Sequence, residues 1–135
     1  MGMSEVRRGS ASGFTLIELM IVLVIVGVLA MIAVPAYNGF VKKANRAAAM
    51  GYLMQAAHRQ QLFFNDTRTY SDDEAVLNLT QPERVRDFYT VLIELDPNSP
   101  PPGFSITATP KARQEGDGVL FIDSRGTKTR EGEPW

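Results

Sequence analysis

Apolar and polar positions are spread very unevenly along the chain. From Leu19 to Ala36 it reads LMIVLVIVGVLAMIAVPA, with no charged residue. With Phe14–Ile17 before it, this block is long enough to cross a bilayer as a helix. It is apolar on every side rather than along one stripe, which argues against the core helix of a soluble domain. It also exceeds the usual core of a secretory signal, and no small-x-small site leading into a polar start follows it. The segment before it, MGMSEVRRGSASG, is short and polar and carries Arg7 and Arg8. Basic residues there favour a cytoplasmic N-terminus. Lys42, Lys43 and Arg46 follow the block, so counting charges leaves the orientation open.

Residues 38–64 are rich in alanine, methionine, leucine and glutamine, which are good helix formers. Met50, Leu53, Ala57 and Phe64 recur near helical spacing, with Lys42, Lys43, Arg46 and Arg59 on other faces. The pattern predicts one helix over about 14–64, roughly 75 Å long at 1.5 Å per residue. Its first part, 14–37, is expected to lie in an apolar medium such as a bilayer. Its second part packs one face on a small domain. Pro35 removes the bond to the carbonyl of Met31 and is expected to kink the helix. Gly27 and Gly39 each cost about 1 kcal/mol relative to alanine.

Asn65-Asp66-Thr67 ends the helix, and a connection runs to Asp87. Within it, Ser71 and Glu74 have capping-box spacing, which predicts a short helix over Ala75-Val76-Leu77. A calcium site at Asp72, Asp73 and Glu74 is disfavoured, because the glycine and spaced oxygen ligands of a calcium loop are absent. Period-two alternation then predicts strands at 88–95, 104–109 and 119–123, with a short edge strand at 128–130. Tyr89, Val91, Ile93 and Leu95 share one face of the first strand. The loop Pro97-Asn98-Ser99-Pro100-Pro101-Pro102-Gly103 is too rich in proline to be strand. Gly116-Asp117-Gly118 reads as a hairpin turn. The fold class is therefore α+β: a long N-terminal helix packed on an antiparallel sheet of three to four strands. The head is 38–135, with helix 38–64, connection 65–87 and β-meander 88–130.

Composition narrows the function. The 135 residues include 14 Lys+Arg and 15 Asp+Glu, a formal net charge of −1. That balance lacks the basic excess of a dedicated nucleic-acid binder. No cysteine is present, which excludes disulfides, zinc–thiolate sites and a cysteine nucleophile. His58 is the only histidine. It sits on the long helix with no nucleophile or carboxylate beside it, and there is no phosphate-binding glycine motif or triad. A membrane-anchored enzyme is accordingly disfavoured. No cofactor or metal is expected.

Glu18 stands out, four positions after Phe14 in an apolar setting. A carboxylate there costs on the order of 2.5–3.5 kcal/mol on insertion scales, and such groups are functional candidates. Gly13-Phe14-Thr15-Leu16-Ile17-Glu18 resembles the processing site of type IV pilins. Pro35-Ala36-Tyr37 is similar to that family's Pro-x-Tyr after the membrane segment. Phe104-Ser105-Ile106-Thr107-Ala108-Thr109-Pro110 resembles the second-strand motif of the PilE-like minor pilins. Gly118-Val119-Leu120-Phe121-Ile122-Asp123 followed by Ser124-Arg125-Gly126 is similar to their third strand and its turn. Arg68-Thr69-Tyr70 resembles the opening of their connecting loop.

The resemblance implies a type IV pilin fold with a leader over 1–13, marked by Arg7, Arg8 and Gly13. It implies cleavage by prepilin peptidase between Gly13 and Phe14, N-methylation of Phe14, and filament assembly through Glu18 and Phe14. It gives Gly27 and Pro35 a role in helix flexibility. The implied partners are other pilin subunits, prepilin peptidase, the pilus assembly platform and inner-membrane lipid. The implied location is the bacterial inner membrane, single-pass, with the head in the periplasm, and then the extracellular pilus. The leading function is a minor pilin used in attachment and twitching motility. Alternatives are a pseudopilin of a type II secretion system and a competence pilus. Lys42, Lys43 and Arg46, with Lys128 and Arg130, are too few for a DNA-binding stripe, so no nucleic-acid partner is expected. Many such pilins close the C-terminal region with a disulfide. Glu131-Gly132-Glu133-Pro134-Trp135 must instead be held by packing or stay mobile.

Overall fold

The computed structural model describes residues 13–96, 98 and 101–135. Arg7 and Arg8 of the leader, and Pro97, Ser99 and Pro100 of the proline-rich loop, lie outside the described residues. The elements run α1 (Leu16–Thr67), α2 (Glu83–Phe88), β1 (Tyr89–Asp96), β2 (Gly103–Pro110), a 3-10 turn (Ala112–Gln114), β3 (Leu120–Asp123), β4 (Lys128–Arg130) and β5 (Glu133–Pro134). The chain divides into two compact units, 1–38 and 39–135.

In the second unit, the five strands form one antiparallel sheet in sequential order. Ile93 pairs with Ile106, Ile106 with Ile122, and Ile122 with Lys128. The alternation anticipated from sequence is real. Tyr89 and Ile93 of β1, Phe104, Ile106 and Ala108 of β2, and Leu120 and Ile122 of β3 all enter the core. Residues on the same face of neighbouring strands stand side by side, so one apolar face forms across the sheet. Leu77 and Leu79 from the connection, and Val85 from α2, complete it.

The helix stripe that meets this core differs from the one predicted. Ala49, Tyr52, Leu53 and Ala56 are buried, bounded by Asn45 and Gln60. Met50 and Ala57 sit at its flank, half-buried. Small alanines let the sheet side chains approach the helix, while Tyr52 fills the remaining volume and carries its hydroxyl to the edge. Phe64 stacks on Tyr70 with ring centroids 4.6 Å apart, and Tyr70 meets Phe104 edge-on at 4.9 Å.

Three further corrections concern the segments between elements. No helix forms over 75–77; Glu74–Asn78 is a series of turns. Ser71 Oγ accepts the N–H of Asp73 at 3.1 Å, and Asp73 Oδ1 accepts that of Ala75 at 2.8 Å. Glu74 does not reach back to cap; it accepts from Tyr52 Oη at 2.8 Å and Gln81 Nε2 at 2.7 Å. A tertiary partner has displaced the local one. The short helix lies instead at Glu83–Phe88, in the segment expected to be connection and the first residue expected to be strand. Gly116-Asp117-Gly118 is not a tight hairpin turn but the end of a longer link containing the 3-10 turn. Gly118 has φ +81° and lies against Glu131, whose Cγ would be 2.7 Å from an added Cβ. Only glycine satisfies both demands.

The C-terminus is held by packing. β5 adds to β4 through Thr129–Pro134 and Arg130–Glu133. Trp135 Nε1 donates to Thr129 O at 2.8 Å, and Lys128 Nζ lies 5.5 Å from the indole centroid.

Candidate functional site

α1 begins at a capped end. Thr15 O accepts the N–H of Leu19 at 3.2 Å, and Thr15 Oγ1 accepts that of Glu18 at 3.2 Å. Thr15 is thus the N-cap and Glu18 the third helical residue, the spacing of a capping box. The signal is local, written in Thr15-Leu16-Ile17-Glu18. A carboxylate in the first turn also complements the positive end of the helix dipole. Gly13 and Phe14 precede the helix, and Phe14 is 79% exposed. The junction between them is therefore non-helical backbone open to solvent.

Residues 13–40 are all exposed. The helix is long and apolar enough there to cross a membrane. Glu18 is the only charged side chain between Phe14 and Tyr37. So much contiguous apolar surface requires an apolar medium or apolar neighbours. Nothing lies within 4 Å of the position a Cβ would take on Gly27, so packing within the chain does not explain this glycine. Helix is maintained through Pro35, where the missing N–H leaves one ladder bond unmade.

The second constellation lies in the head and unites residues that are distant in sequence. Arg46 Nε donates to Asp117 Oδ1 at 2.8 Å, and Arg46 Nη2 donates to the same oxygen. Tyr89 Oη donates to Asp117 Oδ2, and Gln114 Nε2 donates to it at 3.1 Å. Gln114 Nε2 also reaches Lys42 O at 2.8 Å, while Asn45 Nδ2 donates to Gln114 Oε1 at 3.2 Å. Arg130 Nε donates to Asp117 O at 2.7 Å. Asp117 is 2% exposed. Burial alone would raise its carboxyl above the usual range, but the bonds from Arg46, Tyr89 and Gln114 outweigh it and hold the group below. The Asp117 bond likewise raises the Arg46 guanidinium against its desolvation. Burial raises the Tyr89 phenol, and so does its bond to Asp117; Tyr52 is raised by burial and by Glu74.

Of the basic residues singled out from sequence, Arg46 and Arg130 meet at Asp117, and Gln114 ties Lys42 to the same network. Arg46 is paired with Asp117, and Lys42 Nζ donates to Glu115 O at 3.0 Å. Lys128 lies over Trp135, and Arg130 is bonded to Asp117 O. Lys43 is exposed, as is His58. Among the described residues, no cluster of three or more His, Cys, Asp or Glu is placed to hold a metal.

Two family comparisons cover most of the chain. The prokaryotic N-terminal methylation motif matches residues 8–34. The family described as type IV minor pilin ComP, DNA uptake sequence receptor, matches residues 35–118. The chain belongs to the type IV pilin family. Relatives of this pilin include the type IV wide pilus major component PilA4 of Thermus thermophilus, 37% identical over 50% of this chain and 52% of that protein. The type IV major pilin PilA of Myxococcus xanthus is 43% identical over 44% of this chain and 27% of that one. The type IV major alpha-pilin of Moraxella bovis is 42% identical over 47% and 41%. The matched segments thus span about half the length of these relatives or less. A type IV pilin from Shewanella oneidensis shares the fold, with a TM-score of 0.53 over 70% of this chain and 97% of that one, at 23% identity.

Proposed function

We propose that this pilin is a subunit of a type IV pilus, of the minor, PilE-like kind, used in attachment and twitching motility. The carrying observation is the exposed apolar segment over 14–37, helical from Leu16, with Glu18 as its one charge. Prepilin peptidase removes 1–13 by cutting between Gly13 and Phe14, and Phe14 is then N-methylated. The segment 14–37 holds the subunit in the inner membrane with the head, 38–135, in the periplasm. The pilus assembly platform draws it into the filament, where other subunits replace lipid around the helix.

Chemistry supports the roles of Phe14 and Glu18. Cleavage creates an ammonium on Phe14, four residues before the Glu18 carboxylate. In an apolar medium each charge is costly alone, and their pairing is stronger than in water. During assembly, Glu18 of an incoming subunit pairs with the Phe14 ammonium of a neighbour and sets axial register. Gly27 and Pro35 are the points where the helix adjusts. The test is mass spectrometry of the mature protein. A methylated Phe14 at the N-terminus is expected; an N-terminus at Met1 or after Ala36 overturns the reading.

A competence pilus is the second reading, favoured by the family match over 35–118. Its mark is salt-sensitive retention of DNA by the assembled pilus, which the first reading does not require.

A further inference from the structure

One end of the head gathers cations that composition does not reveal. α2 and the 3-10 turn pack around the part of α1 through which the chain enters this unit. Arg84 Nη1 donates to Asn45 Oδ1 at 3.3 Å. Lys111 Nζ donates to Arg86 O at 2.5 Å. Lys42 Nζ reaches Glu115 O, and Gln114 reaches back to Lys42 O. Lys42, Lys43, Arg84, Arg86, Lys111 and Arg113 are thereby collected near one stretch of helix. All but Lys42 are exposed. The carboxylates among them are Glu83, Asp87 and Glu115. Arg130 and Glu131 beside Asp117 offset each other, and Arg46 is neutralised by Asp117. The collar keeps an excess of three positive charges in a chain of net charge −1. α1 itself supplies no compensation, having no carboxylate between Glu18 and Asp66.

We propose that this collar docks on anionic phospholipid headgroups while the subunit is held in the bilayer, an inference that rests on the membrane reading of 14–37. The partner follows from position. Lys42 is five residues beyond Tyr37, on the stretch of chain that directly follows the apolar block. A cation within a Debye length of an anionic surface strengthens attachment to it. The bonds that hold Lys42, Arg84 and Lys111 go to neutral oxygens, so their positive charge is kept and complements an array of anionic phosphates. Docking orients the head of a stored subunit, and extraction into a filament must release it.

The chain has no cysteine, so a spin label at Ala112→Cys is unique. Ala112 is exposed, between Lys111 and Arg113. The full chain is placed in nanodiscs of phosphatidylcholine alone or with phosphatidylglycerol, with nickel chelated at the headgroups. The expected result is strong relaxation by nickel in anionic discs, lost in about 1 M salt, where the Debye length falls to about 3 Å. Arg86→Gln, Lys111→Gln and Arg113→Gln together should release the head, each lowering the docked-to-free ratio about fivefold. Arg68→Gln with Arg125→Gln is the control. Arg125 lines a cleft with Gln61 and Phe64, roughly 28 Å along α1 from Lys42. This pair should leave docking intact, and an unchanged circular dichroism spectrum certifies the collar variant's fold.

Equal relaxation in neutral and anionic discs, or none lost in the folded collar variant, overturns the proposal. So does a collar variant that loses only DNA retention, which assigns the collar to nucleic acid. A chain that does not enter the discs at all overturns the membrane reading first, and docking with it.

Discussion

Arg46 and Asp117, separated by 71 residues in sequence, are joined by two guanidinium donors on a single carboxylate oxygen. The pair ties α1 to the link before β3. Asp117 is fully enclosed, whereas the Arg46 side chain is 24% exposed. The bond therefore neutralises a charge that water cannot reach.

Removing one partner should be strongly destabilising. Asp117→Ala leaves Tyr89, Gln114 and Arg46 without their acceptor. A loss of about 3 kcal/mol is expected, at the lower end for a buried pair because Arg46 keeps some water. At roughly 4–8 °C per kcal/mol for a head of this size, the thermal midpoint falls by at least about 12 °C. A fall of under about 4 °C would show that the network reorganises at little cost.

The same carboxyl contributes to the acid limb of stability. Its folded pKa lies below the unfolded value of about 3.9. Its contribution is present above that value and is lost as pH falls through the folded pKa. Denaturant midpoints should decline below about pH 4, and Asp117→Asn should flatten that limb. On the alkaline side, Tyr52 and Tyr89 are raised above the usual phenol value of about 10. Their contribution is present below pH 10 and is lost as pH rises towards their folded values. Tyr89→Phe should reduce this alkaline loss.

Glu18→Leu should insert and be processed normally, because removing a charge from the apolar segment favours the membrane. It should enter filaments poorly. Glu18→Asp should be intermediate, since the carboxylate remains with shorter reach. The measurement is subunit in sheared filaments relative to subunit in membranes. Normal incorporation of processed Glu18→Leu would remove the carboxylate from the assembly mechanism.

Trp135→Ala should loosen the edge of the sheet without unfolding the core. It deletes the indole bond to Thr129 O and the face on which Lys128 rests. Hydrogen exchange at Arg130 and at position 135 should accelerate, while that at Ile106 stays slow. Uniform acceleration would mean that the C-terminal clasp supports the whole head.

The apolar helix and the first four strands were legible in sequence because they depend on local patterns. A run of apolar residues and a period-two alternation are complete within a few positions. Helix α1 and β1 to β4 accordingly lie within a few residues of their expected bounds. Even the Thr15 cap was written locally. Tertiary structure decided the rest. Glu74 carries a capping signal, yet Tyr52 and Gln81 claim its carboxylate, so the helix expected after Ser71 does not form. Arg46 looks like one of three neighbouring cations until Asp117 arrives from the other end of the chain. The buried stripe of α1 follows the shape of the sheet face laid against it, and it includes Asn45 and Gln60, which no hydrophobic pattern selects. Gln60 is admitted because its amide pairs with Ser71 O at 2.5 Å and Ser71 N at 3.1 Å. A polar group enters a core when its partners are already in place, and those partners are brought together only by the fold.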